Sequence, residues 1–158
     1  MTDNKYHYAF DVEYQGIPNE LKTEAMIFPS PANRDAKGIK TSILWDTGAT
    51  HSCLSPKIVR DLGLKPIDTI IVHGVNSSKV ADVVLASISL PNGLFLAGRR
   101  FSVSDIPGTD ILVGMDIIMM GDFYISNSGG KTQFSFVIPS FNDKLLFAEK
   151  ANQINGLT

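Results

Sequence analysis

A chain of 158 residues is long enough to bury a hydrophobic core as one domain, and its 44% hydrophobic and 19% charged residues argue against a disordered or fibrous protein. The 14 basic and 16 acidic residues give a net charge of -2, which supplies no field for attracting nucleic acid or an anionic membrane. We therefore predict one globular domain over residues 1–158, with no nucleic-acid partner and no membrane partner.

The sequence also shows no signal for export. Residues 1–7 are polar, and no segment approaches the roughly 20 apolar residues of a membrane-spanning helix. The single cysteine, Cys53, cannot form an internal disulfide, so the cysteine content does not indicate an oxidising compartment. These features predict a soluble cytoplasmic protein.

The first part of the chain is predicted to form short strands separated by proline, glycine and asparagine. Strands are predicted over residues 6–14, 21–28 and 39–45. A loop is predicted over residues 29–38, because its prolines, asparagine and glycine are poorly suited to a strand ladder. The third strand runs directly into the tripeptide Asp46-Thr47-Gly48.

One helix has clear start and stop signals. Ser55 is a good N-cap, and Pro56 follows at the first helical position, where its missing N–H costs nothing. Gly63 is placed to end the helix. After it we predict, in order, strands over 80–90 and 94–103, a short helix over 116–121, and a hairpin with strands 123–126 and 132–138. We divide the domain into core motifs at 39–121, a C-terminal hairpin at 122–139 and a tail at 140–158.

The tripeptide at Asp46 has the residues for acid–base chemistry. A strand delivers a carboxylate to its end, and Gly48 lets the backbone turn close to it. Hydrolysing an amide without a metal needs a base for water and an acid for the leaving nitrogen, and two carboxylates that share one proton supply both. One chain has only one such aspartate, so this chemistry requires a second chain, with the two Asp46 residues on a two-fold axis.

Asp-Thr-Gly alone is usually an ordinary turn, but its context here is specific. An apolar strand precedes it, Ala49 follows it, and a second apolar run leads into Gly114, Met115 and Asp116. With a glycine-containing segment at 73–76 between them, these motifs resemble the retropepsin-like aspartic proteases over about residues 39–121, in a form closer to their non-viral members. The resemblance implies an all-β, closed β-barrel with one or two short helices, a homodimer, an extended peptide substrate and no cofactor.

The resemblance also implies a role for individual residues. Asp46 would be the catalytic carboxylate, Thr47 would bond across the dimer, and Gly48 would present backbone groups to substrate. The remaining substrate-binding residues would be those beside this turn and those of a hairpin, or flap, that closes over the peptide: Ala49, Thr50, His73, Gly74, Val75 and Asn76.

Two positions depart from the viral pattern. Viral members usually have an aspartate where this chain has Thr50 and an arginine where it has Met115, and those two residues form an ion pair. Because both partners are missing together, no charge is left unpaired. The hairpin at 122–139 lies beyond the end of the viral chains, and we expect it or its flank to build the dimer sheet.

Metal and thiol chemistry are not expected. The histidines, His7, His51 and His73, lack metal-ligand spacing, and the chain has no paired-cysteine motif. Cys53 lies near His51, but nothing nearby would activate a thiolate, so we interpret Cys53 as a small core residue.

The sequence therefore predicts an aspartic endopeptidase that cleaves extended, apolar peptide segments. The alternative is a non-catalytic peptide-binding module on the same fold. A third hypothesis is that activity appears only when a larger assembly forces the chain to dimerise. Oligomeric state separates the first two, because a strictly monomeric chain cannot assemble two carboxylates.

Overall fold

Two β-sheets and three short helices make up the computed structural model, which describes residues 6–31, 36–73, 78–141 and 144–157. Within these ranges the elements are, in chain order, β1 (Tyr8–Glu13), β2 (Leu21–Pro29), β3 (Ile39–Trp45), β4 (Cys53–Leu54), α1 (Pro56–Asp61), β5 (Pro66–His73), β6 (Ser78–Ser89), β7 (Phe95–Val103), β8 (Ile111–Val113), α2 (Met115–Ile118), β9 (Asp122–Ser126), β10 (Gln133–Ile138) and α3 (Phe147–Asn155).

The larger sheet closes on itself. Its strands follow the order β2-β3-β8-β4-β7-β6-β5, and an additional pairing joins β2 to β6. The long strand β6 makes this possible because it changes partner along its length: its first part pairs with β5, and its last residues, Ala86 to Ser89, pair with the end of β2. The predicted all-β, closed barrel with few short helices is confirmed.

The smaller sheet, with the order β1-β10-β9, covers one side of the barrel. Its inner face is aromatic, and Phe10, Phe134 and Phe136 are each no more than 2% exposed. These rings surround Trp45 of β3, whose ring centre lies 4.9 Å from that of Phe136 and 5.2 Å from that of Phe134. Trp45 also donates from Nε1 to Thr23 Oγ1 over 2.9 Å. The last residue of β3 is therefore fixed by both sheets.

Helix α1 forms as its sequence signals predict. Ser55 is the N-cap, its side chain accepts a bond from the Ile58 backbone N–H, and Pro56 opens the helix. Gly63 follows with a φ of +61°, in the left-handed region that glycine adopts at little cost.

Three elements differ from the expectation. The two-residue strand β4 is too short to produce a pattern, and β5 is exposed along most of both faces, so it lacks the alternation of a half-buried strand. The tail contains helix α3, which the sequence left undefined; none of its residues is buried. Among the described residues, no helix is long and apolar enough to cross a membrane.

Candidate active site

Asp46 sits at the end of β3, which lies between β2 and β8 in the large sheet. β3 runs parallel to β8, with Trp45 opposite Val113, and the Asp46 backbone N–H donates to the Val113 carbonyl over 2.9 Å. Ile43, Trp45 and Val113 are all buried, so the strand that carries the carboxylate is held in the core. The Asp46 side chain itself is half-buried, at the edge of that core.

The residues after Asp46 form a tight turn around its carboxylate. The Gly48 N–H donates to Asp46 Oδ1 over 2.8 Å, and the Ala49 N–H donates to the Asp46 carbonyl over 3.2 Å. A Cβ at Gly48 would lie only 3.1 Å from that same carboxylate oxygen, so the close approach suits glycine. One carboxylate oxygen is thus oriented by a backbone donor.

The outer side of the turn faces solvent. Thr47, Gly48 and Thr50 are exposed, whereas Ala49 is half-buried. Among the described residues, the Thr47 hydroxyl has no hydrogen-bond partner. The turn therefore presents the Thr47 hydroxyl and the Asp46 carboxylate at this surface.

The second motif lies directly beside the turn. The Met115 N–H donates to the Ala49 carbonyl over 2.8 Å, and the Asp116 N–H donates to the Thr50 carbonyl over 3.3 Å. Gly114 fits against the loop so closely that a Cβ there would lie 2.8 Å from the Ala49 carbonyl oxygen. The structure thus brings together two segments that are more than sixty residues apart in the sequence.

Of the segment predicted to form a flap, His73 is described and is the last residue of β5. His73 pairs with Ser78 as the last described pair, and His73 Nδ1 lies 2.8 Å from Ser78 Oγ. Gly74, Val75 and Asn76 lie outside the described residues. On the same pair of strands, Ile71 of β5 faces Val80 of β6, and these side chains are 62% and 70% exposed. The hairpin carries an apolar pair that the core does not use.

A cavity of about 380 Å³ lies between this hairpin sheet and the loop after Asp46. Its lining includes His51, Ile70, Arg99, Arg100 and Asp116. The Arg100 guanidinium donates to the Asp68 carboxylate over 2.6 Å and thereby ties β7 to β5. That bond holds the pKa of Asp68 below its usual range. Of the residues predicted from sequence to bind substrate, the described ones, Ala49, Thr50 and His73, do not line this cavity.

A comparison with protein-family models matches the aspartyl protease model to residues 34–117, which is more than half of the chain. The chain belongs to the aspartyl protease family.

Solved structures show the fold of the chain. A retropepsin-like aspartic protease from Rickettsia conorii superposes with a TM-score of 0.52 and 15% identity, over 84% of this chain and 96% of that one. The chain also matches the EIAV protease complexed with the inhibitor HBY-793 (TM-score 0.49, 22% identity, 67% of this chain, 90% of that one). A further match is the simian foamy virus protease (TM-score 0.45, 23% identity, 63% of this chain, 92% of that one). No curated protein matches. The retropepsin-like resemblance is confirmed.

The three histidines of the chain lie apart from one another. His7 stacks on Phe141 with ring centres 4.6 Å apart, His51 is exposed beside the cavity, and His73 ends β5. Within the described ranges, no three His, Cys, Asp or Glu side chains gather as they would around a metal ion.

The single thiol of the chain, that of Cys53, lies in an environment that does not activate it. Cys53 is buried, and this burial, opposed by Lys79 and reinforced by Asp116 and Asp46, raises the pKa of the Cys53 thiol to about 11. The thiolate needed for nucleophilic attack is therefore scarce near neutral pH. The interpretation of Cys53 as a core residue is confirmed.

The raised thiol pKa predicts a loss of stability at alkaline pH. The folded-state pKa lies above the unfolded value of about 8.5, so the contribution to stability is complete below pH 8.5 and disappears as pH rises toward 11. We expect the wild type to lose about 2–3 kcal/mol more unfolding free energy than Cys53→Ala between pH 8 and pH 11.5. Urea unfolding at each pH measures this difference.

Tyr14 does not disturb that comparison. Burial raises the pKa of Tyr14, but Tyr14 is present in both proteins. Equal losses of stability in the wild type and the variant would contradict the assignment to Cys53.

Proposed function

We propose that this chain is an aspartic endopeptidase that works as a homodimer, with Asp46 of each subunit supplying one of the two catalytic carboxylates. The observation that carries the proposal is the turn at Asp46: a carboxylate anchored to the core by its backbone, oriented by Gly48, and bordered by exposed residues. One chain supplies one of the two carboxylates, and a two-fold axis next to this surface would bring in the second from the other subunit.

The reaction would proceed by acid–base catalysis. One Asp46 carboxylate removes a proton from water while the water oxygen bonds to the scissile carbonyl carbon, and the other, protonated Asp46 donates its proton to the carbonyl oxygen. The tetrahedral intermediate, a geminal diol, then breaks its C–N bond: the first Asp46 passes the proton it took from water to the leaving nitrogen, and one diol hydroxyl returns its proton to the second Asp46 as the carboxylic acid product forms. The two carboxylates end as they began, sharing one proton, because like charges at contact distance resist double ionisation.

Thr47 and Gly48 would complete the catalytic turn. The Thr47 hydroxyl is exposed and has no partner in the described part of the chain, which suits a bond to the second subunit. Gly48 keeps the backbone beside the carboxylate open, so that a peptide can approach closely.

The substrate would be an extended peptide with apolar side chains. Ala49 and Thr50 follow the carboxylate in the turn and would border the substrate on one side, and the strands β5 and β6, with His73 at the end of β5, would provide the other wall. Gly74, Val75 and Asn76, which lie outside the described residues, would also contact the substrate. Exposed Ile71 and Val80 on β5 and β6 offer apolar contact, and an extended peptide can also pair with backbone groups.

The test is the dependence of activity on concentration. A monomer holds half a site, so specific activity should fall about tenfold for each tenfold dilution well below the dimer dissociation constant. Cleavage of a peptide selected from a library is measured across a dilution series, with sedimentation of the same samples. A fully active monomer would rule out the dimeric site, and peptide binding without cleavage at any concentration would indicate the binding module.

A further inference from the structure

We propose that Asp116 is a positioning residue for Asp46, acting through the hydroxyl of Ser52. This inference rests on the proposed function, because it assigns a role in the same active site. Asp116 is the second residue of the short helix α2, and Ser52 precedes the strand β4, so neither residue belongs to the Asp46 turn itself.

The two side chains form a short, closed hydrogen-bond network. Ser52 donates to Asp116 Oδ1 twice, from its hydroxyl over 2.6 Å and from its backbone N–H over 3.0 Å. The same hydroxyl accepts a bond from the Gly114 N–H over 3.0 Å. One carboxylate oxygen thus fixes Ser52, and Ser52 in turn fixes the glycine of the second motif.

Burial makes this network costly to break. Ser52 is fully buried, and a buried polar group that loses its partner costs free energy. Its carbonyl is also used, because the Ser102 N–H donates to it over 3.1 Å. Among the described residues, no cation lies within ion-pair distance of Asp116. The hydrogen bonds that its carboxylate accepts there come from Ser52.

The hydrogen-bond network fixes the C-terminal end of the loop that runs from Asp46 to Ser52. The loop from Asp46 to Ser52 is held at its start by the Asp46 bond to Val113, and in its middle by the Met115 bond to Ala49. Between these points Thr47 and Gly48 are exposed and have no core packing. The Ser52–Asp116 bonds therefore provide the last fixed point before the chain enters β4.

Catalysis by a shared pair of carboxylates is sensitive to such positioning. A displacement of about 1 Å in a reacting group can reduce the rate about 100-fold, whereas substrate binding along an extended cleft depends on many separate contacts. Loss of the Asp116–Ser52 bond should therefore reduce kcat much more than it changes KM.

The experiment compares Asp116→Ala with Asp116→Asn, and Ser52→Ala with Ser52→Thr, on a fluorogenic peptide that the wild type cleaves. We expect Asp116→Ala and Ser52→Ala to reduce kcat by about 10- to 100-fold, with KM within about threefold of the wild type. Asp116→Asn keeps the Oδ1 acceptor and Ser52→Thr keeps the hydroxyl, so each should recover most of kcat. Asp105→Ala, at an exposed site with no side-chain partner among the described residues, is the control.

A second measurement needs no substitution. In the wild type, the Ser52 and Gly114 amides should exchange with solvent at least about 100-fold more slowly than the Thr47 amide, because they are bonded within the network. Equal exchange of the three amides would overturn the proposal even if the alanine variants do not fold. So would an Asp116→Ala enzyme with wild-type kcat, or equal losses in Asp116→Ala and Asp116→Asn. A wild type that cleaves no peptide would instead remove the proposed function, and this role with it.

Discussion

Replacing Asp46 with asparagine should abolish peptide hydrolysis and leave the fold intact. Asparagine has nearly the same shape, and its Oδ1 can still accept the bond from the Gly48 N–H. It cannot take a proton from water or donate one as an acid, and in a homodimer the substitution removes both carboxylates. We expect kcat/KM to fall by at least about 1,000-fold, the range of general acid–base catalysis.

The control for this substitution is Asp105→Asn, which makes the same chemical change at an exposed aspartate away from the turn. Its activity should match that of the wild type. Both variants should unfold in urea within about 0.5 kcal/mol of the wild type, because neither change opens a cavity or strands a buried group. Cleavage by Asp46→Asn at the wild-type rate would show that Asp46 is not catalytic.

The elements nearest to Asp46 were the most predictable from sequence. Strand β3 was expected over residues 39–45 and occupies Ile39–Trp45, because the apolar strand ends at a residue, Asp46, that begins a turn. Helix α1 was predictable for a similar reason, since Ser55, Pro56 and Gly63 each satisfy a local backbone requirement. Local chemistry was sufficient in both cases.

Elements without a buried face were harder to predict. Strand β5 is solvated along most of both sides, so hydrophobic alternation could not mark it. Helix α3 places Phe147, Ala151 and Ile154 at helical spacing, but none of them packs into the core. That spacing was a usable signal for a helix, although the sequence contains no good N-cap before it.

The supporting side chains of the site could be predicted only in part. Asp116 follows the glycine of the second motif, which draws attention to it, but its partner Ser52 is 64 residues away and has no distinguishing pattern. The pairing of β1 with β10 joins residues more than 100 positions apart, and no local sequence pattern indicates it either. Such contacts depend on how distant segments pack together, which local patterns in a single sequence do not reveal.

Replacing Gly114 with alanine should damage both stability and catalysis. The backbone at Gly114 has an ordinary extended conformation, so the requirement for glycine comes from space. A Cβ there would lie 2.8 Å from the Ala49 carbonyl oxygen and 2.8 Å from the carbonyl carbon of His51. Both contacts are with backbone, which cannot rotate away as a side chain could, so the loop after Asp46 has to move.

We expect Gly114→Ala to lose about 1–3 kcal/mol of unfolding free energy, as overpacked sites do, and about 100-fold in kcat through displacement of Asp46. The control is Gly16→Ala, where an added Cβ would meet nothing within 4 Å. Urea unfolding gives the stability, and activity is measured where the variant remains fully folded, so that the two effects separate. If a folded Gly114→Ala enzyme kept the wild-type kcat, the close fit of Gly114 against the loop would not be what positions Asp46. If the variant lost kcat but no stability, the loop would have moved without strain. The turn at Asp46 would then be displaced more easily than its hydrogen bonds indicate.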